Sequence, residues 1–316
     1  MKRARLIYNR TAGKEGIERK LPRILERLEE KGLEASCHAT RFPGDAAEAA
    51  SKAVERGFDV VIAAGGDGTI HEVVNGIAPY STRPQLGIIP CGTSNDLARA
   101  LHLPRDMVAA CDVIGEGHIR SMDVGIVQDH YFINVAAAGF LTEVTHQTPS
   151  RLKTVLGHFA YYAKGLEKLG TLLRPFQVRL ESPQKTVEEE IFLIIVANSP
   201  SIGGFDHLVT QADIGDGLLD VLVVRKANLP ELVHLVGSIL RGEHLDDERV
   251  LYFQTNRLQV ISSQPMKLNL DGEWGGDFFG RFETLAGHLS VLCPAEERVF
   301  SEQERKRMHH RRGERR

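Results

Sequence analysis

The first hundred residues alternate between short strand-like runs and segments with helical spacing. Glycine or polar residues follow each strand-like run. For example, "GGDGT" follows Asp59–Ala64. The runs are Arg3–Tyr8, Glu34–Thr40, Asp59–Ala64 and Leu86–Pro90, and the helical segments are 21–28, Asp45–Gly57, Ile70–Ile77 and Asn95–Leu101. A chain that alternates strand and helix in this way forms a parallel sheet with helices on its faces. The sequence therefore predicts an N-terminal, Rossmann-like α/β domain.

Beyond residue 124 the pattern changes, and strand-like runs follow one another directly. Examples are "YFINVAA", "EIFLIIVAN", "LLDVLVV" and "MKLNLDG". The clear helical segments are Leu152–Leu169 and Leu229–Gly242. Successive strands with few helices favour an antiparallel, sandwich-like domain. We therefore predict an α/β domain over 1–124, rejoined by the tail 294–316, and a β-rich domain over 125–293.

Composition excludes several classes of protein. The chain has 316 residues and a net charge of −3, so no overall positive charge attracts nucleic acid, and we expect no nucleic-acid partner. Its four cysteines form no C-x-x-C pair, which argues against a zinc site and a disulfide framework. The first residues, "MKRARLIYNR", lack the apolar segment of a signal peptide, and no apolar run is long enough for a membrane span. We expect a cytoplasmic protein.

The loop "GGDGT" places three glycines and one acid directly after a predicted strand. In α/β sheets, ligands bind beyond the carboxyl ends of the strands. Glycine lets the backbone come close to a ligand, and the N–H groups of a following helix favour phosphate. A tight turn is the alternative interpretation. The dinucleotide pattern G-x-G-x-x-G and the pattern G-x-x-x-x-G-K-[ST] are both absent.

Two further loops follow neighbouring predicted strands. "NRTAG" (Asn9–Gly13) follows the first strand, and "PCGTSND" (Pro90–Asp96) follows the fourth. Because the carboxyl ends of parallel strands meet at one edge of a sheet, the three loops should converge there. Together they predict a nucleotide site.

Four stretches, "NRTAG", "GGDGTIHEVVNG", "PCGTSNDLARAL" and "LNLDGEWGG", together resemble the soluble bacterial diacylglycerol kinase family. That family is related to sphingosine kinases and shares its fold with NAD kinases. The resemblance implies an ATP- and Mg²⁺-dependent lipid kinase that converts diacylglycerol to phosphatidic acid. "GGDGT" alone would also fit an NAD kinase-like phosphotransferase. A kinase for another lipid, such as a sphingoid base or monoacylglycerol, and a non-catalytic nucleotide- or lipid-binding protein are further alternatives.

The resemblance also implies which residues bind ATP. They are Asn9, Arg10, Thr11, Ala12, Gly13, Thr40, Gly65, Gly66, Gly68, Thr69, Ile70, His71, Glu72 and Thr93. Two of them depart from the usual family pattern, since Arg10 stands where the family usually has proline and His71 where it often has asparagine. A third departure is the alanine run Ala136–Ala138, where relatives often have glycines.

The resemblance assigns catalysis and metal binding to acidic residues. Glu273 would be the general base, with Asp271 as its orienter or as a metal partner, and Asp67 would hold catalytic Mg²⁺. The alternative for Glu273 is a solvated turn acid. Asp96 and Asp123 would belong to the same magnesium network, although a helix N-cap and a polar strand end are the alternatives. A structural Mg²⁺ would bind Asp213, Asp216 and the Leu218 carbonyl.

A diacylglycerol substrate implies peripheral docking on the inner face of a membrane. Basic residues help a protein bind anionic lipid. Candidates are Lys14, Arg19, Lys20, Lys153 and Lys164, with ordinary solvated faces as the alternative. The resemblance further implies a possible homodimer.

Overall fold

The computed structural model describes residues 1–12, 16–139, 175–204, 208–209, 211–262, 264, 266–277 and 279–295. They divide into two compact units. The first unit comprises 1–93, 98–120 and the segment from 290, and the second comprises 94–97 and 121–289. The sequence placed the boundaries at 124/125 and 293/294, so the structure moves each by four residues and assigns 94–97 to the second unit.

The first unit contains a parallel sheet. Its strands are β1 (Lys2–Asn9), β2 (Leu33–Thr40), β3 (Val60–Gly65) and β4 (Gln85–Pro90), in the order β4-β3-β1-β2. The last residues of a long strand, β15 (Gly280–Leu292), lie beside β4, where Val291 pairs with Leu86. The helices are α1 (Ile17–Glu30), α2 (Asp45–Glu55), α3 (Asp67–Ile77), α4 (Asp96–Ala100), which crosses into the second unit, and α5 (Met107–Glu116).

Helices cover both faces of this sheet. The apolar stripe of α1, with Ile17, Ile24 and Leu28, packs with α5 on one face, and α2 packs with α3 on the other. All six residues of β3 are consequently buried. Burial on both faces explains why the β3 segment is a continuous apolar run instead of an alternating one.

The second unit is largely antiparallel. Its strands are β5 (Ile119–Val127, from Ser121 onward), β6 (His130–Phe132), β7 (Val135–Gly139), β8 (Phe176–Glu181), β9 (Thr186–Ala197), β10 (Leu219–Arg225), β11 (Val250–Thr255), β12 (Arg257–Ser262), β13 (Lys267–Leu270), β14 (Glu273–Asp277) and β15 up to Leu289. The long strand β9 pairs with β7, β8 and β10.

Apolar side chains form two cores in the second unit. One contains Phe132 and Phe282, whose rings meet edge to face with centroids 6.5 Å apart. The other lies under helix α6 (Leu229–Arg241), which buries Leu235. Asn228 and Glu231 form a capping box at the start of α6.

The fold class predicted from the sequence is confirmed: a parallel α/β domain is followed by a β-rich one. The sequence analysis did not predict α5 or β14, and it started α3 at Ile70 instead of Asp67. The helix predicted over Leu152–Leu169 lies outside the described residues. Among the described helices, none has the length and apolar character needed to cross a bilayer.

Candidate functional site

The carboxyl ends of the first unit's strands lie side by side. Asn9 at the end of β1 is in register with Thr40 at the end of β2, and Gly65 at the end of β3 is in register with Pro90 at the end of β4. The loops after β1, β3 and β4 therefore leave the sheet at one edge, together with Thr40.

Glycines allow two of these loops to pack closely. A Cβ atom on Gly65 would lie 2.4 Å from Thr69 Oγ1, and one on Gly66 would lie 3.2 Å from Gly92 Cα. The Cys91 N–H also donates to the Gly65 carbonyl at 2.8 Å. Burial raises the pKa of the Cys91 thiol to about 11, so this thiol stays neutral. Close approach, not positive φ, is the reason for Gly65 and Gly66.

Helix α3 begins at the acid of "GGDGT". Gly66 precedes it in an extended conformation, and no side chain caps the helix there. The N–H groups in the first turn of α3 therefore receive no hydrogen bond acceptor from an N-cap side chain. The half-buried Asp67 and Gly68 lie in the first turn, while Thr69 and Ile70 are buried.

The loop after β1 is held by its own polar groups. Asn9 Oδ1 accepts hydrogen bonds from the Thr11 N–H at 3.0 Å and the Thr11 hydroxyl at 2.9 Å, and the Ala12 N–H donates to the Asn9 carbonyl. Arg10 Nε donates to Glu18 Oε1 at 2.7 Å. Gly13 lies outside the described residues. The charge of Arg10 is thus engaged by α1.

Helix α3 is also tied to α2. Glu72 Oε2 accepts a hydrogen bond from the Ala46 N–H at the start of α2, at 3.0 Å. His71 lies beside Asn75, whose side-chain amide donates to the His71 carbonyl at 3.0 Å. Thr93, in the middle of the loop between β4 and α4, is exposed. Glu72 therefore has a structural contact that the sequence did not indicate.

The "LNLDGEWGG" motif forms a hairpin of β13 and β14 in the second unit. Asp271 has a positive φ of 52°, and its carboxylate accepts three backbone hydrogen bonds, from Ile133, Asn134 and Val135, at 2.8–2.9 Å. Glu273 is exposed, and its carboxylate has no hydrogen-bond or ion-pair partner among the described residues. In this hairpin Asp271 is therefore fixed by hydrogen bonds, whereas the Glu273 side chain is exposed.

A buried amide supports the strand that Asp271 binds. Asn198 donates its side-chain N–H groups to the carbonyls of Asp123 and Ile133, both at 3.0 Å, and is fully buried. Its own N–H donates to the Asn134 carbonyl. The sequence analysis missed Asn198. An asparagine directly after the apolar run "EIFLIIVA" was the available signal, because a buried amide requires partners.

Asp96 and Asp123 bind backbone groups of the second unit. Both oxygens of Asp96 accept hydrogen bonds, from the N–H groups of Gly203 and Gly204 and the hydroxyl of Ser201. Asp123 accepts the N–H groups of Gly217 and Gly287, both at 2.6 Å. Each acid anchors distant loops, and a direct role in the magnesium network stays a prediction.

Two acids of the proposed structural magnesium site share the loop before β10, and Asp220 follows them within that strand. Asp213 and Asp216 each accept a backbone N–H two residues ahead, from Gly215 and Leu218. Burial, with Asp213 and Asp123 nearby, raises the pKa of Asp216. Burial likewise raises the pKa of Asp220 to about 6, although Tyr252 and Gln254 donate hydrogen bonds to it. In the described parts of the chain, no three acidic, histidine or cysteine side chains are arranged to hold a metal by themselves.

Comparisons with known proteins place the chain in a family. A model of the diacylglycerol kinase catalytic domain matches residues 3–127, and a model of the YegS C-terminal NAD kinase beta sandwich-like domain matches residues 134–293. The diacylglycerol kinase of Bacillus subtilis (strain 168) is 48% identical over 297 residues, which cover 94% of this chain and 98% of that protein. That of Staphylococcus saprophyticus subsp. saprophyticus is 46% identical over 293 residues, covering 93% and 96%.

Solved structures agree in fold. The crystal structure of a diacylglycerol kinase from Bacillus anthracis str. Sterne has a TM-score of 0.74 at 22% identity, covering 93% of this chain and 97% of that one. A second structure from the same organism has a TM-score of 0.81 at 24% identity, with the same coverage. Since the family models and the curated relatives together span nearly the whole sequence, the chain belongs to the diacylglycerol kinase family.

Proposed function

We propose that this protein transfers the γ-phosphate of ATP to the hydroxyl of diacylglycerol, giving phosphatidic acid and ADP. The observation that carries the proposal is that one chain of this family has both of two features. One is the uncapped helix α3 at a glycine-lined sheet edge, and the other is the unpartnered Glu273 on a braced hairpin.

The carboxyl edge of the first unit suits the phosphates of ATP. Backbone N–H groups at the start of α3 carry partial positive charge and would bind a phosphate that approaches Gly66 and Gly68 closely. The loops containing Asn9 and Thr93, together with Thr40, would complete the nucleotide pocket. The absence of side chains at the glycines leaves room for this approach.

Asp67 would hold the catalytic magnesium ion, directly or through water. A carboxylate in the first turn of α3 would repel an ATP phosphate bound at the same helix end, so a cation between them is needed. Mg²⁺ prefers oxygen ligands and usually keeps several waters, which fits a site with few protein carboxylates. When bound, the ion would neutralise negative charge on the transferred phosphate.

Glu273 would act as the general base. It would accept the proton of the lipid hydroxyl as that oxygen bonds to the γ-phosphorus and the bond to ADP breaks. Asp271, with three N–H donors on its carboxylate, would orient the hairpin instead of binding metal. Glu273 is exposed, as a base must be to reach a lipid substrate.

A structural magnesium ion would bind the second unit through Asp213, Asp216 and the Leu218 carbonyl. Both acids lie in the same short loop, and the pKa of Asp216 is raised by burial and then by its acidic neighbours. A bound cation would relieve that repulsion. Backbone carbonyls and waters would complete its coordination.

The substrate implies that the protein works at a membrane surface while remaining otherwise cytoplasmic. Among the candidate basic residues, Arg19 and Lys20 on α1 lie in the described part of the chain, whereas Lys14, Lys153 and Lys164 do not. Basic residues of this kind would attract anionic lipid. A homodimer is part of the same proposal.

The test is transfer of radiolabel from γ-labelled ATP to diacylglycerol in mixed micelles with Mg²⁺. We expect labelled phosphatidic acid from the wild type and a rate at least about a hundredfold lower from Glu273→Gln, because a general base contributes that much. Asp67→Asn should likewise lose activity. The matched control is Asp277→Asn, an exposed acid on the same hairpin, which should stay active.

Other results would change the proposal. Phosphorylation of a sphingoid base or monoacylglycerol, without that of diacylglycerol, would keep the mechanism and replace the substrate. Labelled NADP formed from NAD, with no lipid product, would replace the lipid kinase with a nucleotide kinase. Full activity of folded Glu273→Gln would reject Glu273 as the base.

A further inference from the structure

A cavity of about 180 Å³ lies between helix α2 and the β1–β2 edge of the first unit's sheet. Its lining includes three cationic side chains, Arg5 from β1 and Lys52 and Arg56 from the α2 side, together with His38 from β2 and Phe58. None of these residues belongs to the predicted nucleotide loops or to the proposed catalytic groups.

The negative charge at this cavity is already engaged. Asp45 Oδ1 lies 2.9 Å from His38 Nε2, and Asp45 Oδ2 accepts the Arg41 N–H at 2.8 Å. Lys52 pairs with Glu48 on the same helix. Asp45 therefore offers little to balance the two arginines.

Arg5 and Arg56 both have donors available. Arg5 donates to the Ser36 hydroxyl at 3.0 Å, and neither guanidinium forms an ion pair with any residue the structure describes. Burial lowers the pKa of the Arg5 guanidinium, and repulsion by the nearby charge of Arg56 lowers it further. An anion between them would remove this repulsion.

We propose that this cavity is a binding site for a phosphate group, separate from the nucleotide loops. A planar guanidinium offers paired donors that match phosphate oxygens, and two of them at one cavity provide both charge and geometry. Since a water molecule takes about 30 Å³ in the liquid, the volume admits a phosphate group and a few waters.

The phosphate could come from a small molecule or from a lipid headgroup. In either case, a chain of hydrogen bonds connects the cavity with helix α3, which follows the "GGDGT" loop. His38 contacts Asp45 at the first residue of α2, and the next residue, Ala46, donates to Glu72 on α3. Occupancy of the cavity would therefore stabilise the α2 end that borders α3.

Equilibrium dialysis of radiolabelled inorganic phosphate against the full chain tests the site. A non-hydrolysable ATP analogue and Mg²⁺ are present to fill the nucleotide loops, and those loops are identical in all variants. We expect one phosphate per chain for the wild type and at least about tenfold weaker binding for Arg56→Gln, since each charge-assisted hydrogen bond contributes about that factor. Arg23→Gln on α1, an exposed arginine outside the cavity, should bind as the wild type does.

Flotation with phosphatidylcholine vesicles, with or without phosphatidic acid, distinguishes the two sources. Arg56-dependent binding of free phosphate supports a small-molecule ligand. Binding to phosphatidic acid vesicles that Arg56→Gln loses and Arg23→Gln keeps, without binding of free phosphate, supports a lipid headgroup. If neither probe binds, or if Arg56→Gln and Arg23→Gln behave alike in both assays, the proposal is wrong.

Discussion

Asp271 and Glu273 are two residues apart, yet their carboxylates have opposite surroundings. Asp271 accepts three backbone N–H groups from residues 133–135, whereas Glu273 has no partner among the described residues. Three hydrogen bonds hold the Asp271 carboxylate in one position. Asp271 can therefore fix the orientation of the hairpin that carries Glu273.

Replacing Asp271 with asparagine should destabilise the protein. Asp271 Oδ2 accepts from Ile133, and Oδ1 accepts from Asn134 and Val135, so either orientation of an amide sets an NH₂ group against an N–H donor. We expect Asp271→Asn to lower the free energy of unfolding by about 1–3 kcal/mol. Chemical denaturation of the two proteins measures the difference.

Asp277→Asn is the control for this prediction. Asp277 lies on the same hairpin but is exposed and only 3.6 Å from Lys267 Nζ, as an ordinary surface pair. Its replacement should change stability by less than about 0.5 kcal/mol. If both substitutions change the free energy of unfolding equally, the three backbone hydrogen bonds of Asp271 do not stabilise the protein.

At the scale of elements, α2 and α3 are connected by one side chain. Glu72 of α3 accepts the Ala46 N–H in the first turn of α2, one of the donors that a helix cannot satisfy internally. A negative charge at that end of α2 is favourable as well. The family resemblance gives Glu72 a place in the nucleotide pocket, and the two roles predict different consequences.

Glu72→Ala separates the two roles. If the contact with α2 is the main role, the free energy of unfolding should fall by about 1–2 kcal/mol while the KM for ATP changes little. Thermal melting and steady-state kinetics measure the two quantities. A strong rise in KM with unchanged melting would instead assign Glu72 to ATP.

Some elements could be predicted from the sequence and others could not, for local reasons. The sequence predicts helix α3 from Ile70, whereas in the structure the helix begins at Asp67, directly after the extended Gly66. Glycine has a low helix propensity, so Gly68 gives little local signal for this first turn. Helix α5 was not predicted, although its ends carry recognisable signals: Asp106 caps its start, and Gly117 follows its end in the left-handed region. "EWGGD" reads as a turn and becomes a strand only by pairing with β13.

The candidate site shows the same limit. The three loops could be placed at one edge from strand order alone, because parallel strands end together. The partners of Asp96 could not, since Gly203 and Gly204 are 107 and 108 residues away along the chain. Periodicity and motif spacing carry no information about such distant contacts.

At the scale of the whole molecule, the first unit is assembled from separate parts of the chain. Strand β15 belongs to the second unit up to Leu289, and residues 290–292 complete the first unit beside β4. Val291 is fully buried there, whereas the neighbouring Ser290 is exposed. The first unit should therefore depend on Val291, although the other strands of its sheet end at Pro90.

Val291→Asp should destabilise the first unit by about 3–5 kcal/mol, because it buries a charge without a partner. Hydrogen exchange of the β3 and β4 amides measures this effect in the first unit itself. The adjacent Ser290→Asp introduces the same charge on an exposed position and should leave the exchange unchanged. Equal protection of β4 in both variants would contradict the dependence on residue 291.

The late position of residues 290–292 has a consequence for biosynthesis. A ribosome releases the chain from its N-terminus, and domains ordinarily fold in that order. Here β1 to β4 emerge early, but the neighbour of β4 emerges only after the whole second unit has been translated. Until then the nascent chain presents an unpaired strand edge, a feature that invites aggregation. The growing polypeptide would therefore need protection by chaperones until residues 290–292 emerge, and the first unit would reach its final form only then.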